Sequence, residues 1–258
     1  AEIKAQWGLD EPPVVQYFYW IRNVLHGDFG TSISLKQSVS QLILQRLPYT
    51  LMLTGAALLI EYVIAIPLGL LAAVRKNGVA DKTLTILTIV LWSMPPFWLG
   101  GLFILTFSVW LGILPISGWD GIASLILPAF TLALPSLAQI FRLTRSEVLD
   151  VLDEKYVTTA YAKGLKNKVV LVKHVLRNAM IPVTVMFFLS VPWLIGGAVG
   201  DENVFAWPGM GQLIWKAISK QDFVIVQGVV LVITILTVIC NLIGDILAGI
   251  LDPRIRLE

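Results

Sequence analysis

The chain has 258 residues, 57% of them hydrophobic and only 14% charged, with a mean hydropathy of +0.80. Soluble domains carry about 25% charged residues, so this composition excludes an ordinary water-soluble globule and points to a helical bundle that uses lipid as its solvent. The formal net charge of +2 is too small for a nucleic-acid-binding surface, and the nine Trp and thirteen Pro suit a membrane protein, where Trp favours the interface and Pro is tolerated in helices. Cys240 is the only cysteine, so no internal disulfide is available, and His26 and His174 are far apart in sequence and make a poor start for a metal site.

Residues 1–47 come first, an extracytoplasmic segment in this reading. Tyr17, Trp20, Ile21, Val24 and Leu25 recur at helical spacing, which predicts a short amphipathic helix with an aromatic face lying on the outer leaflet, closed by Gly27-Asp28-Phe29-Gly30. Residues 48–258 form the membrane domain. A crossing needs about 20 apolar residues, and five stretches qualify: 48–74, 83–111, 122–141, 181–200 and 223–251. They are continuously apolar rather than alternating, which predicts an all-α polytopic bundle and not a barrel.

Charge then orients the bundle, since Lys and Arg concentrate on the cytoplasmic side. Thirteen of the nineteen Lys and Arg fall on one side, between the first and second spans, between the third and fourth, and in the tail at Arg254 and Arg256. That side is assigned to the cytoplasm together with the C-terminus. With five spans, residues 1–46 then lie outside, so a further span before Ala1 is expected, giving six in all.

The longest cytoplasmic connection, 142–182, holds a patterned segment at 153–178. Asp153 is positioned to cap a helix in which Tyr156, Val157, Ala160 and Tyr161 share one face. Thr158, Thr159, Ala160 and Ala162 are small enough for close approach by a partner, and Gly164 stands where a left-handed helix stop is expected. A second amphipathic helix, 169–178, leads to Pro182 and the fourth span. The pattern alone fits either a hairpin on the membrane surface or a stiff lever for a soluble motor.

The run from Glu154 to Gly164, followed by Lys173-His174-Val175-Leu176-Arg177-Asn178-Ala179, resembles the coupling segment of binding-protein-dependent ABC importers. That family's loose pattern is E-A-A, three residues, G, nine residues, I-x-L-P. Ala160, Gly164 and Leu176 match it in register, while Thr158-Thr159 replace Glu-Ala, His174 replaces Ile and Arg177 replaces Pro. The same departures characterise the dipeptide/oligopeptide/nickel branch, which the chain resembles along nearly its whole length. The likeness continues in Gly8-Leu9-Asp10, Arg46-Leu47-Pro48 with Thr50, Phe205 with Trp207-Pro208-Gly209 and Gly211, Asn241-Leu242 with Asp245, and Asp252-Pro253-Arg254.

The resemblance implies a type I importer permease fold in a bacterial or archaeal cytoplasmic membrane, and a non-catalytic subunit. Its partners would be a second permease, two ATPase subunits that carry ATP and Mg, and an extracytoplasmic binding protein delivering small peptides, or else nickel or other metal chelates or glutathione-like molecules. The chain has no G-x-x-x-x-G-K-[ST] phosphate loop of its own. ATPase coupling falls to Tyr156, Val157, Ala160, Tyr161 and Gly164.

Polar and helix-breaking residues inside spans are the candidates for the translocation path, because they are costly in lipid. These are Glu61, Ser93-Met94-Pro95, Asn241 and Asp245, each of which serves either the path or helix-helix packing. The competing class is an ion-gradient-driven carrier or channel. Against it stand the lack of an internal repeat across the halves and the sparse ionisable residues within the spans.

Overall fold

The structure is a computed structural model that describes residues 11–251; Arg254, Arg256, Gly8-Leu9-Asp10 and Asp252-Pro253-Arg254 lie outside the described residues. Among the described residues the fold is helical: α1 (Pro13–Leu25), α2 (Val39–Val74), α3 (Val79–Ser93), α4 (Pro96–Trp110), α5 (Ala123–Leu152), α6 (Lys155–Ala162), α7 (Asn167–Val204), α8 (Met210–Ser219) and α9 (Phe223–Leu251). Helices α2, α5, α7 and α9 are long and apolar enough to cross a membrane, and α3 with α4 make a fifth crossing if the bent pair counts as one.

Three of the five expected spans are longer than their apolar runs. Helix α2 begins at Val39, so Pro48 and Pro67 sit inside it, and the 47/48 boundary falls within one continuous helix. Helix α5 continues past 141 because its charged end is satisfied. Arg145 donates from Nε and Nη2 to the two carboxylate oxygens of Asp81 at 2.6 and 2.8 Å, and the Arg142 guanidinium lies 4.9 Å over the Trp92 ring. Helix α7 fuses the expected second amphipathic helix with the fourth span. Its segment Val170–Leu176 is π-helical and Pro182 lies inside the helix, so the break expected there is absent. The wider π turn lets the chain absorb a register change without ending the helix.

The core runs along the contact of α2 with α5 and α7. Leu53 and Ala57 meet Ala129, Ala133 and Leu194 in one layer, and Ala65 and Ala72 meet Leu137, Phe141 and Val183 in the next. Small residues let these backbones approach, as membrane helices require in the absence of a hydrophobic drive between them. At Gly69 a Cβ would stand 2.8 Å from Thr144 Cβ and 3.0 Å from the Phe141 carbonyl, so only glycine fits that crossing.

Helix α1 is short and carries an aromatic face; it buries no residue, and Gly27, whose φ is +80°, follows its cap at His26. The following turn is fastened to the start of α9 through Asp222. One carboxylate oxygen accepts from Ser32 Oγ at 2.6 Å, from Ser34 Oγ at 2.8 Å and from the Ser34 amide at 2.8 Å. Burial pushes this carboxyl up, but the Ser32 and Ser34 donors outweigh it and hold the group at about 2.

An unfolded Asp titrates near 3.9, so the depressed value stabilises the fold above about pH 4, and that contribution disappears as the pH falls towards 2. We expect detergent-solubilised protein to lose melting temperature on acidification through that window, and Asp222→Asn to lose less across the same window while starting lower, by about 2 kcal/mol of stability. Equal acid sensitivity in both proteins contradicts the assignment.

Candidate functional site: coupling segment and translocation path

Helix α6 is a short rod at the end of the bundle where Arg145 and Asp81 pair. It starts at Lys155 with Glu154 in the N-cap position and no side-chain cap; Asp153, the expected cap, instead ends α5. Its faces divide differently from the sequence expectation. Val157 and Ala160 are 1% and 6% exposed and pack against Val148 of α5 and Val170, Val175 and Ala179 of α7. Tyr156 and Tyr161 are 41% and 42% exposed. The four residues thus split between an inward apolar face that fixes α6 to its own bundle and an outward, exposed face, because Tyr has a polar tip that Val and Ala lack. Gly164 has φ +77°, the left-handed stop expected there, and Tyr161 Oη donates to Asn167 Oδ1 at 2.7 Å across that turn.

The path candidates are not brought together. Ser93, Met94 and Pro95 mark a 102° bend between α3 and α4, which confirms the expected interruption. Ser93 and Pro95 are exposed, and Ser93 Oγ donates back to the Val90 carbonyl at 2.8 Å. Asn241 and Asp245 are exposed on α9, which has no extensive interface with the bend. Glu61 is fully buried in α2, between the two core layers, and neither carboxylate oxygen has a partner among the described residues. An unpartnered polar group at that depth is costly.

Sequence reasoning missed how two distant motifs lock together at the other end. The polar run Asp201-Glu202-Asn203 follows the apolar stretch 181–200, yet Glu202 is fully buried in the last turn of α7. Thr50 Oγ1 donates to Glu202 Oε1 at 2.6 Å and accepts from the Met210 amide at 2.8 Å; Gln212 N donates to Glu202 Oε2 at 3.1 Å. The carboxylate therefore sits at the N-terminus of α8, where amide groups and the helix dipole favour negative charge. A Cβ on Gly209 would collide with that carboxylate, and one on Gly211 with the Val199 backbone. Trp207, fully buried, donates from Nε1 to the Tyr49 carbonyl at 3.0 Å and stands edge-to-face against Trp119. The G-x-G spacing after Trp-Pro was the available signal for a close approach; the partner it approaches was not legible.

A bundle of this form, with a bent second crossing and a rod at the base of its third and fourth, is the fold of ABC importer membrane subunits. Two solved structures share it: the inward-facing methionine transporter MetNI, with a TM-score of 0.71 at 19% identity over 82% of this chain and 97% of that chain, and an amino acid ABC transporter solved with histidines, with a TM-score of 0.62 at 14% identity over 81% and 94%. Residues 65–257 match the family described as binding-protein-dependent transport system inner membrane component. The chain is 42% identical to the oligopeptide transport system permease protein AppB of Bacillus subtilis, over 97% of this chain and 83% of that protein. It is 37% identical to the dipeptide permease DppB of Escherichia coli K12 (99% and 85%) and 40% identical to the glutathione permease GsiC of Salmonella typhi (99% and 84%). The chain belongs to the binding-protein-dependent inner membrane component family and is a permease subunit of an ABC importer.

Thr50→Val strands both Glu202 Oε1 and the Met210 amide, so it should destabilise the protein by about 2 kcal/mol, with Thr50→Ser largely restoring stability. Thermal unfolding in detergent checks this; equal melting of all three proteins would remove the lock from the account.

Proposed function

We propose that this chain forms, with a second permease subunit, the translocation path of an ATP-driven importer of small peptides, and that α6 receives the motion of an ATPase subunit. In this reading two ATPase subunits carry ATP and Mg, a binding protein delivers substrate from outside, and the C-terminus lies in the cytoplasm. Peptide cargo is supported by the named relatives, which transport oligopeptides, dipeptides and glutathione at 37–42% identity. The observation that carries the coupling role is the division of α6. Its inner face is packed into the bases of α5 and α7, while Tyr156, Thr158, Thr159 and Tyr161 are exposed. Force applied to α6 moves two membrane helices at once, because Val157 and Ala160 leave no slack between them. Residues Ser93, Met94 and Pro95 at the bend supply a hinge or gate, and the exposed polar groups Asn241 and Asp245 face a partner or the path in preference to lipid.

Tyr161→Glu places a charge on the exposed face and should leave insertion and accumulation intact while ATPase subunits no longer copurify. Ala160→Glu places the charge in the buried contact instead. It should reduce accumulation of the permease itself, since an unpaired buried carboxylate costs several kcal/mol. Copurification and membrane yield measured together check both. A Tyr161→Glu permease that retains its ATPase and transports normally contradicts the docking role.

A further inference from the structure

Between α6 and the base of α7 lies a pocket of about 730 Å³ whose polar wall is Tyr156, Lys173, His174, Arg177, Asn178 and Thr184, with Met180 and Ile181 as its apolar floor. Its wall is fixed by Asn178, whose Nδ2 donates to Tyr156 Oη at 2.8 Å and to the His174 carbonyl at 3.0 Å. Lys173 and Arg177 are exposed, and no carboxylate lines the pocket. Among the described residues, then, no ion pair neutralises Lys173 or Arg177. The positive charge also continues along the protrusion: from 155 to 178 the charged residues are Lys155, Lys163, Lys166, Lys168, Lys173 and Arg177, with no Asp or Glu.

We infer that this pocket receives an acidic side chain of the ATPase subunit, so that docking is steered by a basic permease surface entering an acidic groove. The inference rests on the proposed docking of α6 and adds the chemistry of the contact. Two observations favour a protein carboxylate over a lipid phosphate. Tyr156 forms one wall and belongs to the connection between spans, so the pocket opens beside α6 as well as along the base of α7. Tyr156 is also exposed and belongs to the face of α6 proposed to dock. A guanidinium offers a carboxylate two parallel donors, and charges placed around such a contact raise the association rate and make it salt-dependent.

The test uses the complete purified transporter at low and high ionic strength, comparing wild type, Arg177→Lys, Arg177→Glu and Lys173→Glu with Arg177→Glu. We expect wild type to shed its ATPase as salt rises, Arg177→Lys to be intermediate, and the double reversal to weaken association about tenfold or more at low salt. Because both side chains are exposed, monodisperse permease should persist in every variant. Salt-independent association of wild type, or full ATPase retention by the double reversal, overturns the inference. So does a double reversal that keeps its ATPase but loses bound anionic phospholipid in native mass spectrometry. Tyr161→Glu run alongside separates the two ideas. If it releases the ATPase and the reversals do not, only the acidic partner falls; if it too retains the ATPase, the docking reading itself has failed.

Discussion

The burial of α5 is the constraint on which the rest of the structure depends. Of the apolar stretch that carries this helix through the membrane, 67% is buried inside the chain, against 17–39% for α2, α7 and α9. A central helix that also carries Arg142 and Arg145 beyond its apolar stretch has to have those charges answered locally. Asp81 answers Arg145 with a two-pronged ion pair and Trp92 answers Arg142 with its ring face. Both answers come from α3, so the helix that leads into the bend is fastened to the base of the mast. Helices α2 and α7 complete the packing around α5 through small residues. The other faces of α7 and α9 remain open.

The same fastening gives the proposed mechanism its rigidity. Helix α6 touches the bases of α5 and α7, and α5 holds α3 through Asp81. A push on α6 is therefore delivered to the start of the bent crossing and to the base of α7 together. At the far end, Glu202, Thr50 and the amide groups opening α8 tie α7 to α2, so the two helices cannot separate there without exposing a buried carboxylate. Motion is left to the 102° bend, where two successive prolines have removed two amide donors from the helix ladder.

Most of the fold was legible because lipid forces long apolar runs, and the last span was read at its full extent, 223–251. Helix ends were less legible where tertiary partners overrode local signals. Arg142 and Arg145 read as the cytoplasmic end of a span, and only the positions of Trp92 and Asp81 explain why the helix runs on to Leu152. Pro182 read as a boundary, whereas the π segment before it keeps the helix continuous. The segment around α6 was found from its pattern, and the left-handed Gly164 was anticipated, but periodicity alone could not say which face turns inward. Val157 and Ala160 pack against residues of similar size on α7, so that face closes on its own bundle.

The most direct measurement is site-directed crosslinking from Tyr161→Cys and Thr158→Cys, in a Cys240→Ser background, in intact membranes containing the whole transporter. The account predicts crosslinks from both positions to an ATPase subunit, with yields that change when ATP and loaded binding protein are added. Crosslinking confined to lipid, or yields indifferent to nucleotide while transport proceeds on an ion gradient, would contradict it.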